Sequence, residues 1–72
     1  VAKLPIISGK TAIKTFLKIG YQIVRQRGSH IRLRHKSRRP LTIPSHKILG
    51  KGLMSKLLRD SELSLEEFLK LL

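Results

Sequence analysis

The sequence predicts an α+β domain: a three-stranded antiparallel sheet with helices on one face, in the order helix, strand, strand, strand, helix, short helix. Three observations carry this. Apolar residues recur at helical spacing on either side of the middle, at Ile13, Phe16 and Leu17 and again at Leu53, Met54, Leu57 and Leu58. Between them, Ile31 and Leu33 alternate with His30, Arg32 and Arg34, the period of two that a half-buried strand shows. Arg27, Gly28 and Ser29 separate that stretch from Tyr21–Gln26, which carries Tyr, Ile and Val, and so read as the turn of a hairpin.

Residues 1–8 form an extended lead-in, because Pro5 biases Leu4 away from helix. Ser8 is the expected N-cap of the first helix and Gly20 its stop. On that helix Lys10, Lys14 and Lys18 form a stripe apart from the apolar face. Strands follow over Tyr21–Gln26 and His30–His35, then a basic turn, Lys36–Pro40, and a short strand, Leu41–Ile43, closed by Pro44. Ser45–Lys51 is expected to be a loop, and the second helix to end near Asp60. Ser64-Leu65-Glu66-Glu67 has the spacing of a capping box, with acids matched to the positive end of the last helix. A sheet of this size buries one face under helices and leaves the other open, with His30, Arg32 and Arg34 on the open side.

Composition narrows the function. At 72 residues the chain makes one small domain, 1–72, which excludes large catalytic folds. Lys and Arg number 16 against 4 Asp and Glu, a net charge of +12. All four acids (Asp60, Glu62, Glu66, Glu67) lie in residues 60–72, so residues 1–59 hold fifteen bases and no acid. A field of one sign repels itself and weakens the compact state, which points to a polyanion or an acidic protein as partner. A 40% hydrophobic content is too high for a disordered basic tail. With no cysteine, disulfides and thiolate metal sites are excluded. No apolar run approaches a membrane span and VAKLPIISGK has no signal-peptide core, so a cytoplasmic location is expected.

Several motifs are weighed against simpler readings. Ser8-Gly9-Lys10-Thr11 looks like the end of a phosphate-binding loop, but the glycine required five positions before Gly9 is Leu4; the first turn of a helix accounts for it. Arg25–Arg39 carries seven bases in fifteen residues and no acid, whereas solvated faces normally mix signs. Arginine dominates there, suited to forked contacts with phosphate oxygens. With three aromatics, two of them on expected core faces, a base-stacking platform is poorly supplied. His30 reads either as a structural histidine or as a proton-transfer group. The second reading gains from the preceding glycine turn, from the arginines sharing its strand face and from the absence of a carboxylate nearby in sequence. His35 falls on the Ile31 and Leu33 side, at the core margin, and His46 in a loop. Three histidines at these spacings fit no common zinc pattern, and the acids are too remote for a Ser-His-Asp set.

The stretches GYQIVRQRGSH (Gly20–His30), IPSHK (Ile43–Lys47), the glycine at Gly52 opening an apolar helix and the closing SLEEFLKLL together resemble the HicA toxins, also called YcfA-like proteins. RQRGSH, Arg25–His30, is the most specific of them. The resemblance implies a fold like the double-stranded RNA-binding domain and a metal-independent mRNA interferase with His30 as catalytic histidine, blocked by a HicB-like antitoxin. The chain has Gly52, Leu53, Met54 where the family usually has Gly-Thr-Leu, so any contact of that threonine hydroxyl is absent.

The resulting expectation is an endoribonuclease toxin needing no cofactor, with His30 moving the proton and Arg25, Arg27, Gly28, Ser29, Arg32, Arg34 and Lys36 holding mRNA. Water, His35, His46 or Tyr21 is the candidate second proton-transfer group. An acidic antitoxin is the expected protein partner. The rival reading is a basic RNA-binding module without chemistry; a cationic membrane-active peptide fits less well, since the bases fall on strands and loops as well as on one helix face.

Overall fold

Ser8 ends the lead-in by capping the first helix: its hydroxyl accepts the Thr11 N–H at 3.1 Å, satisfying one of the donors a helix start leaves free. In the computed structural model, which describes residues 3–72, this helix, α1, spans Gly9–Leu17. It is followed by β1 (Gln22–Arg27), β2 (His30–Arg34), β3 (Leu41–Pro44), α2 (Lys51–Ser61) and α3 (Leu65–Leu71). From Lys3 onward the lead-in has no regular secondary structure, with Ser8 itself extended, and the first two residues of the expected segment lie outside the described residues. The order is α-β-β-β-α-α, with one antiparallel sheet ordered β1-β2-β3.

Gly20, at φ +102, turns the chain out of α1. Leu17, expected on the apolar face, is exposed; Gly9, Ala12, Ile13, Thr15 and Phe16 are the buried residues, and Thr15 satisfies its hydroxyl on the Thr11 carbonyl at 2.8 Å. The hairpin turn has two residues, Gly28 and Ser29, with Arg27 opposite His30. Gly28 takes φ +56 in the first turn position, where a tight hairpin needs a left-handed residue. α2 begins at Lys51, earlier than the apolar pattern suggests, because Gly50 serves as N-cap without a side-chain bond. It closes on Glu62 at φ 59, and the next N–H, of Leu63, returns to the Leu58 carbonyl at 3.1 Å while the Leu63 side chain is buried. The capping box of α3 forms in both directions, between Ser64 and Glu67.

The core lies between the helices and the inner face of the sheet. Ile31, Leu33, Leu41 and Ile43 supply the sheet side, and Ala12, Phe16, Met54, Leu57 and Phe68 the helical side. All three aromatics are buried, one more than the sequence pattern placed there, with Phe16 packed on Phe68 (5.2 Å between ring centres) and on Tyr21 (5.7 Å). Gly9 is the tightest joint. A Cβ there would fall 1.9 Å from the Pro44 carbonyl oxygen, and its N–H donates to the His46 carbonyl at 2.9 Å. This pins the start of α1 to the end of β3.

α1 and α2 pack against β3, so β1 stands beyond their cover with all six of its residues exposed. Two cations seal helix ends: Lys18 donates to the Leu71 carbonyl of α3, and Arg38 to the Ser61 carbonyl of α2. Both place positive charge where the helix dipole is negative.

Candidate nucleic-acid interface

Strand alternation settles which β2 residues face outward. Ile31 and Leu33 are buried, while His30, Arg32 and Arg34 are exposed on the open face. β1 does not alternate so simply. Its register runs Gln22 to Arg34, Ile23 to Leu33, then Arg25 to Arg32, Gln26 to Ile31 and Arg27 to His30, so Val24 is the extra residue of a β-bulge. Cross-strand partners share a face. Without the bulge, Ile23, Arg25 and Arg27 would all point the same way; with it, Ile23 turns toward the helices and both arginines join Arg32 and His30.

The result is a shallow depression of about 520 Å³ on the open face. Arg25, Arg27, His30, Arg32 and Arg34 line it, with Val24 and Thr42. Arg25 stands directly opposite Arg32, a like-charge pair that is unfavourable until an anion lies between them. The Arg32 guanidinium is steadied by its Nη1 donating to the Thr42 hydroxyl at 2.9 Å. Every acid of the chain lies in residues 60–72, so neither β1 nor β2 carries one.

The remaining residues expected at the site lie around this depression rather than in it. The Gly28-Ser29 turn joins Arg27 to His30; the Gly28 carbonyl accepts the Gln26 side-chain amide at 3.2 Å and the Ser29 carbonyl accepts the Ser45 N–H at 2.7 Å. Nothing stands within 4 Å of where a Gly28 Cβ would be, so the turn is open to an approaching group. Lys36 lines a neighbouring depression. Arg38, counted in the basic segment, belongs instead to the α2 terminus. Val24 and Thr42 were missed; Thr42, exposed between buried Leu41 and Ile43, was within reach of the alternation rule, whereas Val24 was not.

Two other ionisable rings are structural. His35 is half-buried against Tyr21, 4.9 Å between ring centres. Its Nδ1 accepts the Ser37 N–H at 3.1 Å, so Nε2 carries the proton and donates to the Ile19 carbonyl at 2.8 Å. Tyr21 is 2% exposed and donates to the Arg39 carbonyl at 2.8 Å. Burial pushes its phenol above the usual 10.0, with Asp60 and Glu62 adding to the rise and Arg38 opposing it. Both residues are therefore occupied in holding β2 and the basic turn to α1. The His46 ring is exposed in the loop after β3. Among the described residues no group of three His, Cys, Asp or Glu side chains is close enough to hold a metal ion, and no helix is long and apolar enough to cross a membrane.

An open sheet backed by helices, with guanidinium groups and one exposed imidazole on an acid-free face, defines a small basic α+β domain with a cationic sheet surface. The sequence model of the HicA toxin of bacterial toxin-antitoxin systems matches residues 9–63, from the first residue of α1 to just past α2. The chain belongs to that family and is of the toxin type. No curated protein and no solved structure matches it.

Proposed function

We propose that this toxin is an endoribonuclease whose open sheet face holds mRNA and whose His30 moves the proton during metal-independent cleavage. The observation that carries this is the exposed His30 imidazole among the guanidinium groups of Arg25, Arg27, Arg32 and Arg34, on strands without a carboxylate. His30 takes the proton of a ribose 2′-hydroxyl, the 2′-oxygen bonds to the adjacent phosphorus, and the bond from phosphorus to the 5′-oxygen breaks. A 2′,3′-cyclic phosphate and a 5′-hydroxyl result, the latter taking its proton from solvent, which reaches the open face freely. The arginines neutralise the charge that builds on the phosphoryl oxygens as the 2′-oxygen attacks. Gly28, Ser29 and Lys36 extend the contact with RNA, the first two through the open turn and Lys36 from the neighbouring depression. His35 and Tyr21 are engaged elsewhere and His46 is not among the residues lining the depression, so His30 is the one imidazole there to serve the reaction.

The protein partner that fits this surface is an acidic antitoxin. An ordinary protein interface takes about 800 Å² from each side. That is roughly a sixth of the 5051 Å² surface of this chain, enough to cover the open face and exclude RNA. Purified protein and His30→Ala are incubated with RNA in EDTA. Cleavage by the parent and intact but retarded RNA with the folded variant are expected; equal cleavage by both removes His30 from the reaction, and retardation without cleavage by the parent leaves a binding module.

A further inference from the structure

A second depression of about 530 Å³ opens beside the first, and the two share Val24 and Arg34 as a common wall. Its size falls in the range of ordinary small-ligand sites. The rest of its lining differs in kind. Val24, the unpaired bulge residue, is 51% exposed, an apolar side chain standing among guanidinium groups where it adds nothing to the holding of phosphate. His35 has both ring nitrogens engaged, so toward this depression it offers ring surface rather than a hydrogen-bonding atom. Gly20, at φ +102, keeps the space beside that ring open: a Cβ there would lie 3.1 Å from His35 Nε2. The polar groups are Gln22, paired with Arg34 across the strands, and Lys36.

We infer that this second depression is a nucleobase subsite, taking the base of a nucleotide whose phosphate lies among Arg25, Arg32 and Arg34. The inference rests on the RNA reading of the first depression and adds to it a base-reading function. A nucleobase matches the lining part by part. Its flat faces meet Val24 and the His35 ring, its polar edge meets Gln22 and Lys36, and its ribose tethers it to a phosphate beside Arg34. The charged groups here are donors only, since neither guanidinium nor ammonium accepts a hydrogen bond. Guanine, with adjacent O6 and N7 acceptors, therefore fits better than adenine, whose N6 amino group finds among these side chains only the Gln22 amide oxygen as acceptor.

The test needs no cleavage. Backbone amide NMR titrations of the full chain are run with ribose 5-phosphate, guanosine 5′-monophosphate and adenosine 5′-monophosphate. Ribose 5-phosphate is expected to shift the amides of Arg25 and Arg32, and the guanosine nucleotide those of Gly20, Gln22 and His35 as well. The base is expected to tighten binding about tenfold, as stacking of one base does, with the adenosine nucleotide between the two. Gln22→Ala weakens the adenosine nucleotide, widening the preference for guanine, and leaves ribose 5-phosphate binding unchanged. Equal affinity for nucleotide and sugar phosphate, or shifts confined to the arginine depression, overturns the subsite while phosphate holding stands. If ribose 5-phosphate itself fails to bind, the phosphate-holding reading falls, and the subsite with it.

Discussion

Replacing Arg32 by Gln separates a specific phosphate contact from the general pull of a highly positive protein. Four guanidinium groups line the first depression, those of Arg25, Arg27, Arg32 and Arg34. Each phosphate neutralised on a single strand releases about 0.7 counterion, so four contacts give a slope of log K against log salt near −2.8. Arg32→Gln is expected to lower the magnitude of that slope by about 0.7 and, near 0.1 M salt, to weaken binding about fivefold, or about 1 kcal/mol. Lys56→Gln removes the same charge from an exposed position on α2, in the layer on the other side of the sheet. Its slope is expected to stay that of the parent. The assay is fluorescence anisotropy with a short 2′-O-methylated RNA, which keeps the phosphates and removes the attacking hydroxyl, so the unaltered protein can be used. Equal changes for Arg32→Gln and Lys56→Gln would refute the placement of phosphate on the open face.

Three further outcomes concern the scaffold. Gly9→Ala puts a methyl group onto the Pro44 carbonyl and threatens the Gly9 bond to His46; a loss of about 1–3 kcal/mol is expected in a urea melt, and an unchanged midpoint would contradict the joint described. Glu67 is held below its usual 4.5 by the Ser64 N–H and then by the Ser64 hydroxyl, so its ionised form stabilises the fold at neutral pH and that contribution vanishes as pH falls through the folded value. Glu67→Gln should therefore melt below the parent at neutral pH and together with it well below pH 4.5; a gap that persists in acid would show the charge to be irrelevant. The Tyr21 phenol, raised above 10.0 by burial, contributes stability that is present below that pH and lost above it as the unfolded phenol ionises first. Tyr21→Phe is expected to unfold less steeply with pH beyond that point, while losing about 1 kcal/mol at neutral pH with the Arg39 bond, and parallel pH curves would argue against it.

The elements legible in the sequence are those specified locally. Ser8 and Ser64 cap because a hydroxyl one residue before a helix can reach its free N–H groups, and Gly28 turns the hairpin because it alone tolerates the left-handed conformation there. The outward row of His30, Arg32 and Arg34 follows from alternation along one strand. Features that depend on a partner were not legible. Ile23, Val24 and Arg25 read as a simple alternating run until β2 is laid beside them; only the pairing of Ile23 with Leu33 and Arg25 with Arg32 exposes the bulge that brings Arg25 and Arg27 to the open face. Arg38 looked like its basic neighbours because nothing local shows that the Ser61 carbonyl, 23 residues later, awaits it. The second depression is assembled from the end of α1, the bulge of β1 and the end of β2, and no linear motif spans them.

The identity of the RNA ends left by the purified toxin in EDTA bears most directly on the role given to His30. Attack by the ribose on its own phosphate leaves 2′,3′-cyclic phosphate and 5′-hydroxyl termini, and a single 2′-deoxy substitution 5′ to the cut abolishes cleavage there. Termini carrying 5′-phosphate and 3′-hydroxyl, or undiminished cutting at the deoxy position, would mean that water attacks instead and that the imidazole does not act on the 2′-hydroxyl.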